Sequence, residues 1–127
     1  MKIIDSYNLD EERIITCPKN SFISHRMLLA KDGMGFGMTR TEIKKGDWQT
    51  WHYKNHLEAC YCVSGTAFIR NEETKERTML KPGMVYALDN NDKHSFKALQ
   101  NTTLICVFNP PLTGNEVHNE DGNFLRR

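Results

Sequence analysis

The sequence has little that would place it in a membrane, outside the cell or on a nucleic acid. Its 127 residues include only four prolines and no apolar run long enough to cross a bilayer. The first 20 residues have no long apolar core and carry acidic residues early, unlike a secretion signal or a transit peptide. The 17 Lys and Arg balance 16 Asp and Glu, without a like-charge block that would follow a phosphate backbone or anionic lipid. We therefore expect a cytoplasmic protein without nucleic-acid or membrane partners.

Cysteine is also scarce, and the four that are present, Cys17, Cys60, Cys62 and Cys106, are expected to be reduced thiols. Cys60 and Cys62 are separated by one residue, so on an extended strand their side chains point the same way. That spacing suits a metal, but no second closely spaced pair of Cys or His completes a zinc-type set. We interpret both as small core residues.

The distribution of turn residues predicts an all-β protein. Turn signals recur at KDGMG, KKGD, RNEETKE, KPGM, DNNDKH and NPPLTGN. Between them, the runs at residues 58–69, 83–88 and 102–108 predict buried strands, whereas no segment shows sustained helical periodicity. Residues 6–14 and the region after residue 114 are each candidates for a short helix. A chain of this length predicts one domain, residues 1–127, folded as a small antiparallel barrel or jelly-roll-like β-sandwich that can hold one ligand.

Two gapped patterns give this architecture a more specific interpretation. The segment from Gly46 to Gly65 resembles the first motif of the cupins, G-x5-H-x-H-x3-E-x6-G, with Lys54 in place of the second His. The segment from Gly83 to His94 resembles the second motif, G-x5-P-x-G-x2-H, with its spacing kept although Pro and Gly are replaced. Their order, and the candidate hairpin between them, make the resemblance to the cupin superfamily specific. It implies a single-domain cupin barrel.

Strands facing each other across a barrel can bring a carboxylate and imidazoles to one point and leave coordination positions open for a substrate. Lys54 cannot contribute, because an ammonium group has no lone pair and repels a cation. Beside Glu58 and His94, the residues leave three candidates for a further metal ligand: His52, His56 and Tyr86. Residue types alone favour His52.

Longer stretches resemble one cupin family, the ectoine synthases. These are HYKNHLEACYCVSG, KPGMVYALD, DGMGF and LICVFNPPLTGNEVHNEDG, and the likeness runs nearly without gaps over residues 1–122. It implies that iron(II) is held by Glu58, Tyr86 and His94, which overturns the preference for His52. It also implies a lyase of compatible-solute biosynthesis that cyclises N-γ-acetyl-L-2,4-diaminobutyrate to L-ectoine with loss of water.

The resemblance assigns further positions. Tyr53, Glu116 and His118 are the candidates for acid and base chemistry, without individual roles. The candidates for substrate binding are Phe22, Arg26, Thr41 and Phe108. Phe22 stands where ectoine synthases usually have Trp, which keeps an aromatic wall but loses the indole N–H donor. The resemblance also implies a homodimer, and a C-terminal segment, residues 109–127, that covers the barrel mouth as a candidate lid.

Two other classes of function share the cupin motifs. A different metal-dependent cupin enzyme, such as a dioxygenase or an isomerase, would keep the motifs without the NPPLTGNEVH segment. A non-enzymatic cupin that binds a small ligand would commonly lose residues at the ligand positions. Neither alternative accounts for the C-terminal segment of this sequence.

Overall fold

The structure is a computed structural model that describes residues 1–17 and 21–114. Ten strands lie within these ranges: β1 (Ile14–Thr16), β2 (Phe22–Leu28), β3 (Gly37–Ile43), β4 (Gln49–Trp51), β5 (Leu57–Ser64), β6 (Ala67–Asn71), β7 (Arg77–Leu80), β8 (Val85–Leu88), β9 (His94–Ala98) and β10 (Thr102–Asn109). Two single-turn 3₁₀ helices, Glu11–Arg13 and Ala30–Asp32, complete the regular structure, and the described residues contain no α-helix.

The strands form two antiparallel sheets, which confirms the predicted all-β class. The six-stranded sheet has the order β1-β2-β3-β10-β5-β8, and the four-stranded sheet has the order β4-β9-β6-β7. Sheet formation follows the alternation of apolar and polar residues, because successive side chains on a strand point to opposite faces. The buried side chains of both sheets form a common core. This is the jelly-roll-like sandwich that the turn pattern predicted.

The prediction of fully buried strands was wrong for the outer face of the large sheet. On β5 the side chains of Cys60 and Cys62 are buried, whereas Tyr61 and Val63 between them are exposed. Val85 on β8 is exposed as well, because β8 is an edge strand with one face toward solvent. Runs of apolar residues therefore mark these strands although only every second side chain enters the core.

The run at residues 58–69 is two strands rather than one. The chain turns at Gly65, and β5 belongs to the large sheet while β6 belongs to the small one. Beyond it, the predicted hairpin is confirmed, since β6 pairs antiparallel with β7. Of the two candidate helices, residues 6–14 contain one 3₁₀ turn, and the region after residue 114 lies outside the described residues.

The described part of the chain has no helix with the length and apolar character needed to span a bilayer. All four cysteines, which lie in the described ranges, are free thiols, as the sequence predicts.

We predict that Gly65→Ala lowers the free energy of unfolding by several kcal/mol. Gly65 has a φ of +88°, and a Cβ built there would lie 2.5 Å from the Asn101 carbonyl oxygen, closer than real contacts allow. Both the left-handed backbone and the steric overlap then oppose the substitution, each costing about 1–3 kcal/mol. Urea denaturation measures the change.

Gly33→Ala is the matched control for this substitution. Gly33 also has a positive φ, +73°, but its Cβ would meet nothing within 4 Å. It isolates the backbone cost, so a loss of about 1 kcal/mol is expected. Equal losses in the two variants would show that the close approach at Gly65 does not matter.

Candidate active site

A cavity inside the barrel brings together most of the residues that the sequence singled out. Six of its lining residues were predicted: Phe22, Thr41, Tyr53, Glu58, Tyr86 and Phe108. The others were not: Ser24, Ile43, Trp51, Leu104 and Cys106. They come from both sheets, since β2, β3, β5, β8 and β10 form one wall, and Trp51 at the end of β4 and Tyr53 just after it form the other.

Tyr86 lies close both to the strand that carries Glu58 and to His94. Glu58 and Cys60 lie on the inner face of β5, and Cys60 pairs with Tyr86 on β8. His94 begins β9 in the other sheet, opposite Trp51, and its ring centroid is 6.0 Å from that of Tyr86. Glu58 and Tyr86 line the cavity, whereas His94 is not one of its lining residues.

The residues between β4 and β5 differ in burial, which shows which side chains of the first motif face the cavity. Strand β4 ends at Trp51, but the burial of the residues that follow still alternates as on a regular strand. Tyr53 is buried in the cavity wall, whereas Lys54 is exposed and His52 is half-buried. The ammonium of Lys54 thus extends away from the buried carboxylate of Glu58, and the sequence-based concern about repulsion at the site does not apply.

Asn91 links the two motifs, and sequence reasoning missed its role. Its side-chain amide donates hydrogen bonds of 3.0 Å to the carbonyl oxygens of Tyr53 and His56. Its φ is +52°, a left-handed conformation that Asn tolerates better than most residues. Asn91 therefore keeps the turn for which the cupin pattern uses Gly and also fixes the segment that carries Tyr53.

The carboxyl of Glu58 is buried beside uncharged partners. Burial raises the pKa of Glu58 to about 7, and hydrogen bonds from the thiols of Cys60 and Cys106 offset only part of that effect. A buried carboxylate without a cation is costly. The site therefore favours either a proton or a positive ion at this position.

His94 presents a nitrogen suited to a metal. Its Nδ1 donates a 3.0 Å hydrogen bond to the carbonyl of Asp92, because a carbonyl can only accept. The lone pair is then on Nε2, which is buried and has no hydrogen-bond partner within the described ranges. Burial lowers the pKa of His94 to about 4, so the ring is neutral at physiological pH. A neutral, oriented imidazole is the form that binds metals.

The two tyrosines of the cavity hold their protons. Burial raises the pKa of Tyr86 and of Tyr53 well above the usual value, and nearby acidic groups, including Glu58, raise it further. Tyr53 packs edge-on against His94 and Phe108, with centroid distances of 5.9 and 6.3 Å. Without a cation, both phenols are hydrogen-bond donors rather than bases.

The donors fit a divalent metal. A cation would satisfy the unpartnered Nε2 of His94, relieve the buried charge of Glu58 and lower the pKa of the Tyr86 phenol. Imidazole, carboxylate and phenolate together suit iron better than a purely oxygen-rich set suited to magnesium or calcium. None of the three histidines His52, His56 and His94 lines the cavity, and Nδ1 of His56 contacts the Pro110 carbonyl at 3.1 Å.

Aromatic rings form the wall on the side of His94. Trp51 contacts Phe22, His94 and Phe96, with centroid distances of 5.3, 5.9 and 5.4 Å. The sequence analysis missed Trp51, although its alternation with Tyr53 could have indicated a shared inward face. Its ring restrains the orientation of His94 from the side.

Arg26 and Thr41 occupy neighbouring inner positions of the large sheet. Arg26 is completely buried, and it donates hydrogen bonds to Ser24 Oγ at 3.3 Å and to the Gly114 carbonyl at 3.0 Å. Thr41 Oγ1 lies 3.0 Å from Thr39 Oγ1, beside the cavity. The remaining predicted site residues, Glu116 and His118, lie outside the described residues.

The ectoine synthase family model matches residues 1–127. An L-ectoine synthase of Marinomonas sp. (strain MWYL1) is 44% identical over 113 residues, 89% of this chain and 88% of the relative. An L-ectoine synthase of Wolinella succinogenes is 47% identical over 110 residues, 87% of this chain and 84% of the relative.

Solved structures are similar as well. The crystal structure of ectoine synthase from P. lautus superposes with a TM-score of 0.79 at 41% identity, covering 90% of this chain and 80% of that one. The Cupin_2 domain of an XRE family transcriptional regulator from Enterobacter cloacae has a TM-score of 0.58 at 12% identity, covering 72% of this chain and 98% of that domain. The latter likeness concerns the fold alone, and it supports the cupin barrel.

We predict that Glu58→Gln stabilises the metal-free protein increasingly as pH rises from 4.5 toward 7. In that window the unfolded Glu58 is ionised, whereas the folded residue, with a pKa of about 7, still binds a proton. The folded state therefore binds more protons, so rising pH removes stability from the wild type and not from the variant. The difference should reach on the order of 2 kcal/mol in urea denaturation with chelator present.

The wild type must be compared with the variant because the titration of His94 changes folding stability with pH in the opposite direction. With its pKa lowered to about 4, folded His94 loses its proton before the unfolded residue does, so its contribution rises with pH up to about 6.5. Glu76→Gln, on an exposed hairpin position, is the matched control and should follow the wild type. A pH-independent difference between Glu58→Gln and wild type would contradict the burial argument.

Proposed function

The chain belongs to the ectoine synthase family and is a hydro-lyase that forms ectoine, and we propose that it does so in the barrel cavity with iron(II). The substrate in this proposal is N-γ-acetyl-L-2,4-diaminobutyrate. Its free α-amine attacks the acetamide carbonyl carbon, a C–N bond forms, the carbonyl oxygen departs as water, and a six-membered cyclic amidine results. The product would serve as a compatible solute.

One observation carries the metal part of the proposal: His94 Nε2 is buried without a hydrogen-bond partner among the described residues, and the His94 ring centroid is 6.0 Å from that of Tyr86. These three residues would hold iron(II), which when bound supplies a Lewis acid that makes an amide carbonyl more electrophilic. The Asp92 carbonyl sets the tautomer of His94, and Trp51 restrains its ring.

The substrate carboxylate would bind Arg26, whose guanidinium is completely buried. Thr41 would hydrogen-bond a polar group of the substrate. Phe22 and Phe108 would form the apolar walls that fold the flexible substrate into a ring-like pose. Holding the amine near the carbonyl lowers the entropic part of the barrier.

Proton transfer follows from the states of the cavity residues. The attacking amine must be neutral, and the departing oxygen must gain protons. Because burial raises the pKa of Tyr53, its phenol suits the donor role and not that of a base. Glu116 and His118 remain candidates for accepting the amine proton, on the basis of the family resemblance.

Residues 109–127 would act as a lid over the cavity within a single domain, residues 1–127. The described part of this segment supports the proposal. Leu112 is buried, its carbonyl accepts a 2.8 Å hydrogen bond from Ala30 N, and Gly114 accepts from Arg26. The segment is thus fixed next to a substrate-binding candidate, where closure would exclude water.

A homodimer is the proposed assembly, with the outer face of β5, β8 and β10 as the interface. This face exposes a group of apolar side chains: Leu57, Tyr61, Val63, Val85 and Val107. It adjoins β8, which is an edge strand among the described residues and offers backbone groups for pairing. Contiguous exposed apolar surface beside a free strand edge fits a second copy of the chain.

The four free thiols are in keeping with a cytoplasmic protein.

Anaerobic incubation with iron(II) and N-γ-acetyl-diaminobutyrate tests the function. We expect the wild type to form ectoine, followed by NMR, and Glu58→Gln to form it at least about 100-fold more slowly because a ligand of the Lewis acid is lost. Glu76→Gln serves as the control. Ectoine formation at the wild-type rate by Glu58→Gln would refute the metal role, and none from folded, iron-loaded wild type would refute the function.

The double variant Tyr61→Lys/Val85→Glu tests the dimer. These residues are directly paired across β5 and β8, so the new charges attract each other within one chain while they disfavour an apolar interface. Analytical ultracentrifugation should show a wild-type dimer and a monomeric variant. Met79→Glu, at an exposed apolar site on the other sheet, should stay dimeric. A monomeric wild type, or a dimeric double variant, would contradict this interface.

A further inference from the structure

A second set of possible metal ligands lies at the wall of the same cavity. The carboxylate of Glu58 and the thiols of Cys60 and Cys106 all lie within 4.8 Å of one another, and all three residues are buried. The function proposed above uses only Glu58 of these three. The two thiols hydrogen-bond to its carboxylate and to each other.

Strand pairing in the six-stranded sheet brings the three residues of this cluster together. Glu58 and Cys60 are two residues apart on β5, so both face inward, and Cys106 on β10 is the direct cross-strand partner of Cys60. In a tetrahedral zinc site with Zn–S bonds near 2.3 Å, neighbouring ligand atoms are about 3.8 Å apart. The three donors therefore need only small side-chain rotations to surround one ion.

The types of ligand atom distinguish this cluster from the proposed iron ligands Glu58, Tyr86 and His94. Two thiolates are soft donors, and together with one carboxylate they suit zinc, cadmium or cobalt(II), whereas imidazole, carboxylate and phenolate suit iron. The phenol of Tyr86 hydrogen-bonds to Cys60 and lies where it can support a bound thiolate.

We propose that Glu58, Cys60 and Cys106 form a binding site for one thiophilic divalent cation, of which zinc is the representative. On binding, each S–H bond breaks and its proton passes to the buffer, two metal–sulfur bonds form, and no oxidation state changes. The three protein ligands leave a fourth tetrahedral position open for water or another small ligand.

The two donor sets share Glu58, so both cannot be filled with full ligand sets at once. A thiophilic cation would thus act as an inhibitor that competes with iron. This consequence rests on the proposed function, whereas thiolate binding itself does not.

Cobalt(II) titration of the whole, chelator-treated, reduced protein under anaerobic conditions provides the test. We expect a thiolate-to-cobalt charge-transfer band in the near ultraviolet that saturates at one ion per chain. Cys60→Val and Cys106→Val should each lose most of this band and weaken binding at least about tenfold. Absence of the band in the wild type, or a full band in both variants, would overturn the proposal.

Cys62→Val is the matched control. Cys62 lies on the same face of the same strand, but its thiol hydrogen-bonds to the carbonyls of Ser64 and Gly65, away from the cluster. It should keep the full band, and an equal loss in this variant would overturn the assignment. Cys60→Ser, which keeps the size of the side chain without sulfur, replaces Cys60→Val if circular dichroism shows that the latter is unfolded.

His94→Gln separates this site from the proposed function. It removes a ligand of the iron set, so ectoine formation should fall, while the thiolate band should persist. A folded His94→Gln variant that loses the band would show that cobalt occupies the iron set, against the proposal. A persistent band in a wild type that forms no ectoine would refute the function and leave the thiolate site in place.

Discussion

The structure depends on the burial of one carboxyl group, that of Glu58, inside a β-barrel. Burial raises its pKa to about 7, and the neighbours that the structure provides are thiols and aromatic rings rather than a lysine or arginine. Such a group opposes folding in its ionised form. It is retained where something else supplies the missing positive charge, and a metal ligand set including His94 is the explanation that the surrounding residues support.

The remaining structure holds that set in place without contacting the carboxyl itself. Asn91 joins the loop before β9 to the segment before β5, and the Asp92 carbonyl orients His94. Trp51 packs against the ring of His94. The replacement of Gly by Asn in the second motif thus keeps the left-handed turn. It also adds two hydrogen bonds, from the Asn91 side chain to the backbone of the segment before β5.

The sequence predicted the fold class and the β6–β7 hairpin because these depend on local features: turn residues, period-2 alternation and motif spacing. Most of the predicted cavity residues came instead from the resemblance to ectoine synthases. The sequence could not predict contacts that depend on which strands become neighbours. Cys60 and Cys106 are 46 residues apart, and only the pairing of β5 with β10 makes them adjacent. For the same reason β8 was expected to be buried, although its position at the sheet edge exposes Val85.

The protonation states of the residues around the cavity are compatible with both proposed sets of metal ligands. Without a cation, the Cys60 thiol and the Tyr86 phenol hold their protons because burial raises the pKa of both groups, and His94 is neutral. Each donor set binds a cation by exchanging a different group of these protons, thiol protons in one case and a phenol proton in the other. In the two proposals, iron and a thiophilic ion therefore compete for the same carboxylate, iron with Tyr86 and His94 and the thiophilic ion with Cys60 and Cys106. Because Glu58 is common to both, the concentration of each free ion decides which set is completed.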